Sequence, residues 1–490
     1  MKIPTAHLGL GLGPILCLLL SVIGPIEGMS PEAQSILACT VWIAVWWITE
    51  AIPIAATALL PLVLFPLSGG LNLGDTAASY GHKFVFLYAG GFILAIGIER
   101  WNLHRRIALG VIQLIGTNIR FIILGFMIAT AGLSMWISNT ATAVMMLPIA
   151  VAVCGQLRDN PQTPENESRR FGKALMIAIA YSASIGGVAT LIGTPPNLVL
   201  AGVLEEFYGV EITFVKWMLI GFPISVVLLG FCWWYLTTRA YPFRDQAFPG
   251  GRAEINRQMK ELGPISAEEV RVLIVFLLTA LAWLSRSWLL NTWLPNLDDT
   301  IIAISAALIL FFIPAKQASR ALLNWEEAVK LPWGVLLLFG GGLALANGFK
   351  ATGLAEWIGE QMTLLDGVPM LMLILILVAA VNFLTEITSN LATTAMILPI
   401  LAPMALTLDV HPYLLLVGTT IAASCAFMLP VATPPNAVVF GSGYLRIPDM
   451  FRTGFWLNVV SIVLITLVVY FLLPLLWGFE FEPFPADWIQ

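Results

Sequence analysis

The chain has 490 residues, of which 59 % are apolar and only 11 % charged, with a mean hydropathy of +0.88. Soluble domains average about 45–50 % apolar and about 25 % charged, so a water-soluble enzyme, a nucleic-acid binder and a disordered regulator are excluded together. The net charge of −5 leaves no basic excess for a nucleic-acid partner.

In chain order, Lys2 and the apolar run 8–23 look like the first half of a signal peptide. Gly24-Pro25-Ile26-Glu27 offers no small-residue cleavage site, however, and many apolar runs follow. The segment reads as a retained first membrane helix. A bilayer core of about 30 Å takes roughly 20 apolar residues per helix. The runs fall near 8–26, 34–50, 52–67, 84–99, 121–153, 174–204, 213–238, 271–290, 300–313, 333–349, 367–407, 411–442 and 454–477. Those at 121–153 and 367–407 exceed one crossing, and Ser-Asn interrupts each near its middle. Both are predicted to be re-entrant hairpins. The fold class is therefore all-α and polytopic, with about 11 transmembrane helices plus the two hairpins, the N-terminus inside and the C-terminus outside.

Lys and Arg test that topology, because cytoplasmic loops collect them. Twenty of the 24 fall on predicted inner segments, and only Lys83, Lys216, Arg286 and Lys350 fall outside. The five cysteines (Cys17, Cys39, Cys154, Cys232 and Cys425) stand singly in apolar runs, and the four histidines form no cluster with them. A zinc site, a haem site and a disulfide framework do not fit that pattern. No HExxH, GxSxG or paired intramembrane Asp occurs, so no enzymatic activity is expected.

The chain repeats itself. Leu133–Ala150 (LSMWISNTATAVMMLPIA) and Leu384–Leu401 (LTEITSNLATTAMILPIL) share nine of 18 positions at an offset of 251. Thr194-Pro195-Pro196-Asn197 returns as Thr433-Pro434-Pro435-Asn436 at an offset of 239. In the predicted topology the first hairpin opens inward and the second outward, so the copies are inverted. Inverted repeats with interrupted helices are the architecture of secondary transporters. The expected organisation is a first helix and outer loop (1–33), a first repeat (34–238), a cytoplasmic linker (239–270) and a second repeat (271–490).

Each copy carries Ser-Asn at a hairpin tip and a Pro-Pro pair inside a long apolar run. Proline lacks an amide hydrogen and its ring clashes with the preceding turn, so the pair breaks the helix. Irregular backbone at membrane depth is tolerated only where it is buried or lines a cavity. The freed carbonyls and the Ser, Thr and Asn oxygens suit a hard cation, and half-helix N-termini suit a carboxylate. Residues 121–157, 174–215 and 351–445 contain no Lys or Arg. An anion bound there needs cations brought with it, because burying uncompensated charge costs several kcal/mol per ion. Glu50 and Glu386 are the acids deepest in these spans, and an ionisable residue there is a functional candidate. Met135 stands at the first-copy place matching Glu386.

These residues resemble the divalent anion/sodium symporter family, which includes sodium-coupled dicarboxylate and citrate transporters. The resemblance runs from Trp46-Trp47-Ile48-Thr49-Glu50-Ala51-Ile52-Pro53 to the last helix. It implies a homodimer in a bacterial-type inner membrane, embedded in lipid, each protomer a scaffold plus a transport domain that moves as an elevator. By this resemblance Ser138, Asn139 and Thr140 with Thr194 and Pro195 hold one carboxylate of the substrate. Ser389 and Asn390 with Thr433 and Pro434 hold the other. One Na⁺ sits among Ser134, Ser138, Asn139 and Gly193, and a second among Thr385, Ser389, Asn390 and Ala432. The repeat agrees: Ser134 and Thr385 are 251 apart, Gly193 and Ala432 239 apart. The expected activity is Na⁺-coupled symport of a C4-dicarboxylate such as succinate, malate or fumarate. Sodium-independent exchange and citrate as main substrate are the alternatives. The second tip departs from the pattern with Leu391 where the first has the Thr140 hydroxyl, which removes one donor on that side.

Overall fold

The structure, a computed structural model, describes residues 5–115, 118–158, 165–243, 251–316, 320–361 and 367–488. The first half comprises α1 (Thr5–Val22), α2 (Pro31–Thr49), α3 (Ile54–Thr57), α4 (Leu60–Ser68), α5 (Leu73–Ala78), α6 (Lys83–Arg100), α7 (Leu103–Ile115), α8 (Ile119–Ser134), α9 (Asn139–Arg158), α10 (Glu165–Val188), α11 (Pro195–Tyr208) and α12 (Phe214–Tyr235). After α13 (Gly251–Glu261) come α14 (Ala267–Ser285), α15 (Asn291–Trp293), α16 (Asp299–Phe312), α17 (Trp325–Ala328), α18 (Trp333–Thr352) and α19 (Leu354–Gln361). The chain ends with α20 (Met370–Leu384), α21 (Asn390–Thr407), α22 (Pro412–Ala423), α23 (Pro434–Phe440), α24 (Ile447–Leu467) and α25 (Leu473–Trp477). Among the described residues there is no β-strand, only a bridge between Pro314 and Ala321. Nine helical segments of the described residues are long and apolar enough to span a bilayer, and shorter apolar helices accompany them. The protein is an all-α polytopic membrane protein.

Local chemistry sets the boundaries. Ser30 accepts the Ala33 amide to start α2, and Ser266 forms a capping box with Glu269 to start α14. α11 and α23 each begin with Pro-Pro, where the missing amide costs no helical hydrogen bond. The apolar runs 174–204 and 411–442 are accordingly each split, into α10/α11 and α22/α23, with irregular backbone between. Two helices that the apolar runs do not mark, α7 and α19, begin 251 residues apart. The predicted linker contains α13. Lys2, Arg244 and residues 159–164 lie outside the described residues.

Polar contacts define two ends of the bundle. At one, Arg106 pairs with Glu269, Arg100 with Glu327, and Lys173 with Asp449, while Arg120 donates to the Phe243 carbonyl. At the other, Lys83 pairs with Glu205 and Arg286 with Glu211, Lys350 donates to the Glu206 carbonyl, and Ser30 Oγ donates to the Thr352 carbonyl. The first is the arginine-rich end and the second the acidic end. α2 runs from the acidic end to the arginine-rich end, and α14 runs the opposite way.

α10 lies at the centre, with 94 % of its apolar span buried. It packs on α8 backbone to backbone, and a Cβ on Gly186 would stand 2.3 Å from the Ala131 carbonyl oxygen. The halves interlock, α9 against α23 and α11 against α21. That interlock brings the two hairpins and the two broken helices together.

Candidate binding site

In the first half, α8 ends at Ser134 and α9 begins at Asn139, leaving a four-residue turn. Ser134 Oγ donates to the Ala183 carbonyl at 2.7 Å and also lies against Asn139 Oδ1. A hydroxyl has one proton for these two acceptors. The two acceptors share that proton, and the oxygens gathered here suit a hard cation beside them. The α10/α11 break supplies more oxygens. Asn197 Nδ2 donates to the Gly187 and Thr190 carbonyls at 3.3 and 2.7 Å, while its Oδ1 is buried with no partner among the described residues. A Cβ on Gly187 would fall 2.6 Å from Asn139 Oδ1, and one on Gly193 would fall 2.4 Å from the Gly187 carbonyl oxygen. Glycine is required here because backbone and side-chain oxygens crowd one small space.

The second half repeats the arrangement. Thr385 Oγ1 donates to the Ala423 carbonyl at 2.9 Å and lies 2.7 Å from Asn390 Oδ1. Asn436 Nδ2 donates to the Ala426 and Leu429 carbonyls at 3.2 and 3.0 Å, and its Oδ1 is likewise buried and unpartnered. Both asparagines and both of their acceptor residues keep the 239-residue spacing of the Pro-Pro motifs. Ser184 and Ser424, next to the two acceptor alanines, also have buried hydroxyls with no partner among the described residues. Buried polar oxygens are normally satisfied, so unsatisfied ones recurring in matched pairs point to a ligand. Sequence reasoning quoted Asn197 and Asn436 as motif members without giving them a role. It missed Gly187 and Ala426, which the 239 offset pairs, and Ser184 and Ser424, which stand 240 apart.

The structure brings Ser134 together with Asn139, Gly193 with the Gly187–Asn139 crowd, and Thr385 with Asn390. Ser138, Asn139, Thr140, Pro195, Ser389 and Asn390 are half-buried, Thr194, Ala432 and Thr433 are buried, and Pro434 is exposed. Ser138 Oγ accepts the Ala141 amide at 3.2 Å and Thr433 Oγ1 the Asn436 amide at 3.4 Å, so both hydroxyls cap helices. Leu391 is buried on the packed face of α21. The N-termini of α9, α11, α21 and α23 lie at the turns and breaks, and each carries partial positive charge.

The two candidate acids differ. Glu386 is buried, and both of its oxygens are engaged. The Phe427, Met428 and Leu429 amides donate to it at 2.7, 2.9 and 3.0 Å, and Asn458 Nδ2 donates at 2.7 Å. It staples the second hairpin tip to the unwound segment. In the first half that link is made by Thr190 Oγ1, which donates to the Met135 carbonyl. Glu50 is exposed, the left-handed C-cap of α2, and belongs to neither oxygen cluster.

The family described as "Sodium:sulfate symporter transmembrane region" matches residues 10–478. The chain belongs to that family. Among the chain's curated relatives, the sodium-dependent dicarboxylate transporter SdcS of Staphylococcus saprophyticus is 49 % identical over 485 residues, covering 97 % of this chain and 93 % of the relative. The protein of the same name from Staphylococcus aureus is 47 % identical, covering 98 % and 93 %. Solved structures of similar fold include Neisseria gonorrhoeae MtrF, with a TM-score of 0.59, 13 % identity and coverage of 99 % of this chain and 97 % of that one. The Alcanivorax borkumensis YdaH transporter gives the same TM-score and identity, with coverage of 98 % and 100 %. At that identity the two structures bear on fold alone. The protein belongs to a transporter family and is not an enzyme.

Proposed function

We propose that this protein is a secondary transporter that carries a C4-dicarboxylate such as succinate, malate or fumarate together with sodium. The observation that carries the reading is the pair of matched oxygen clusters, around Asn139 and Asn390, set in segments without a Lys or Arg. Each cluster takes one Na⁺, giving at least two. The carboxylates lie between them, facing Ser138, Asn139, Thr140, Thr194 and Pro195 on one side and Ser389, Asn390, Thr433 and Pro434 on the other. The cations supply the positive charge that the side chains lack. The sodium dependence and dicarboxylate substrate in the names of the Staphylococcus relatives support this reading.

The two repeats, 34–238 and 271–490, are inverted in the membrane, which the opposed directions of α2 and α14 support. The arginine-rich end faces the cytoplasm, putting the N-terminus inside and the C-terminus outside. The hairpins and broken helices move as an elevator against a scaffold that includes α2, α6, α14, α16 and α18, and protomers pair as homodimers.

Purified protein in proteoliposomes tests this function. An inward sodium gradient should drive accumulation of labelled succinate, and a choline gradient should not. Equal uptake under both, with rapid exchange against internal succinate, would identify a sodium-independent exchanger instead.

A further inference from the structure

Glu50 is left unused by the site, and the structure gives it a counterpart. α2 and α14 are both 19 residues long and both begin after a serine whose side chain accepts the third helical amide. Trp47 and Trp283, 236 residues apart, are both fully buried. Each indole donates to the carbonyl of a residue that begins a later helix: Trp47 to Ile54, the start of α3, at 3.3 Å, and Trp283 to Asp299, the start of α16, at 3.0 Å. The same register makes Glu50 and Arg286 the two C-caps, opposite in charge and at opposite ends of the bundle.

At the acidic end, Arg286 is engaged. It is 3 % exposed, donates to Glu211 Oε1 at 2.7 Å and lies 3.3 Å from Asp299 Oδ1. Glu211 belongs to the connection leading into α12. Phe214, the first residue of α12, stacks on Trp283 at 4.8 Å and gives its amide to Asp299 Oδ2 at 2.8 Å. Trp136, from the first hairpin turn, stacks on both rings at 5.7 and 6.3 Å. The hairpin turn, the start of α12 and the end of α14 thus form one closed contact.

At the arginine-rich end, Trp47 is buried, but the positions around it are open. Ile387 corresponds to Trp136 at the 251 offset and is 65 % exposed. Ile447 begins α24 as Phe214 begins α12, and is 55 % exposed. The connection into α24 carries Arg446 directly before Ile447, and the connection into α12 carries Glu211 three residues before Phe214, so the two connections bring opposite charges without sharing a register. Arg446 and Glu50 are both exposed, and neither side chain has an ion-pair partner among the described residues. The tryptophan and C-cap register recurs with opposite charges at the two C-caps, engaged at one end and exposed at the other.

We propose that Glu50 and Arg446 form an ion pair in a second conformation, the counterpart of Arg286–Glu211, and that the two pairs are mutually exclusive. This rests on the alternating-access reading above: when the hairpin unit slides along the scaffold, Glu211 leaves Arg286 as Arg446 reaches Glu50. Each pair then stabilises one end-state, and their balance sets the populations of the two.

Charge exchange tests it. Glu50→Arg and Arg446→Glu each place like charges opposite one another and should slow sodium-driven succinate uptake about fivefold, a small coupling on the usual scale. The double variant restores the pair with its sense reversed and should return to within about twofold of wild type, whereas independent sites would add their losses. Succinate with sodium should raise the melting temperature of all three variants as it does that of wild type, which separates a lost latch from a lost fold or site. A second readout needs no transport. In a background lacking the native cysteines, Glu50→Cys with Arg446→Cys should be joined by a short bis-thiol linker. Adding Glu211→Gln, which releases the other end, should raise the yield about threefold by shifting populations. A double charge variant no faster than the slower single, or no cross-link in either background, overturns the proposal. Cross-linking in a protein that shows no sodium-driven uptake would support the latch and refute the transport reading.

Discussion

Asn139 and Asn390 each place a side-chain oxygen against a hydroxyl that also faces a backbone carbonyl, so one proton serves two acceptors. Oxygens gathered this way suit a cation. Replacing either with Ala removes one oxygen from a small buried cluster, so each single change should abolish sodium-dependent succinate uptake while the protein still folds. Uptake near the wild-type rate, measured in proteoliposomes at matched protein density, would remove that asparagine from the site. Much of this scale was legible in the sequence, because two Ser-Asn and two Thr-Pro-Pro-Asn motifs at fixed offsets cannot both be accidents of helix packing. The unpartnered oxygens of Asn197 and Asn436 were not legible, since only the fold brings Gly187 and Ala426 beneath their amides.

The hairpins and broken helices are held by different chemistry in the two halves. In the second, one carboxylate gathers three consecutive amides and an asparagine side chain. In the first, a threonine hydroxyl reaches a single carbonyl. Glu386→Gln keeps one acceptor oxygen but presents an NH₂ group to a buried amide. Leaving one buried donor unsatisfied costs about 1–3 kcal/mol, so the melting temperature should fall and uptake should slow with it. Unchanged stability and uptake would mean that the staple is dispensable. Sequence alone marked Glu386 as a candidate ligand because an acid at membrane depth is rare, and its backbone partners lie about 40 residues further on. α7 and α19 escaped the apolar runs for a physical reason. Polar and charged residues such as His104, Arg105, Arg106, Glu356 and Glu360 alternate with their apolar ones, as in helices lying along a surface rather than crossing a bilayer.

At the scale of the whole molecule, one architecture is used twice in opposite directions, and the departures from symmetry carry information. The acidic end is closed by aromatic stacking and ion pairs, whereas Glu50, Ile387, Arg446 and Ile447 at the arginine-rich end are exposed. Under the proposed orientation, this conformation is open to the cytoplasm. The spans, the hairpins and the clustering of Lys and Arg were readable from composition. The asymmetry between the ends was not, because both conformations share one sequence. The central claim is that cations supply the charge that holds the anion. Coupling between binding sites is reciprocal, and a ligand that binds only the folded state stabilises it in proportion to its occupancy. The most direct measurement is the dissociation constant of succinate on the purified protein, titrated at several sodium concentrations with choline keeping ionic strength constant. Succinate affinity should rise steeply with sodium and be lost in choline alone. The same dissociation constant in sodium and in choline would contradict the account.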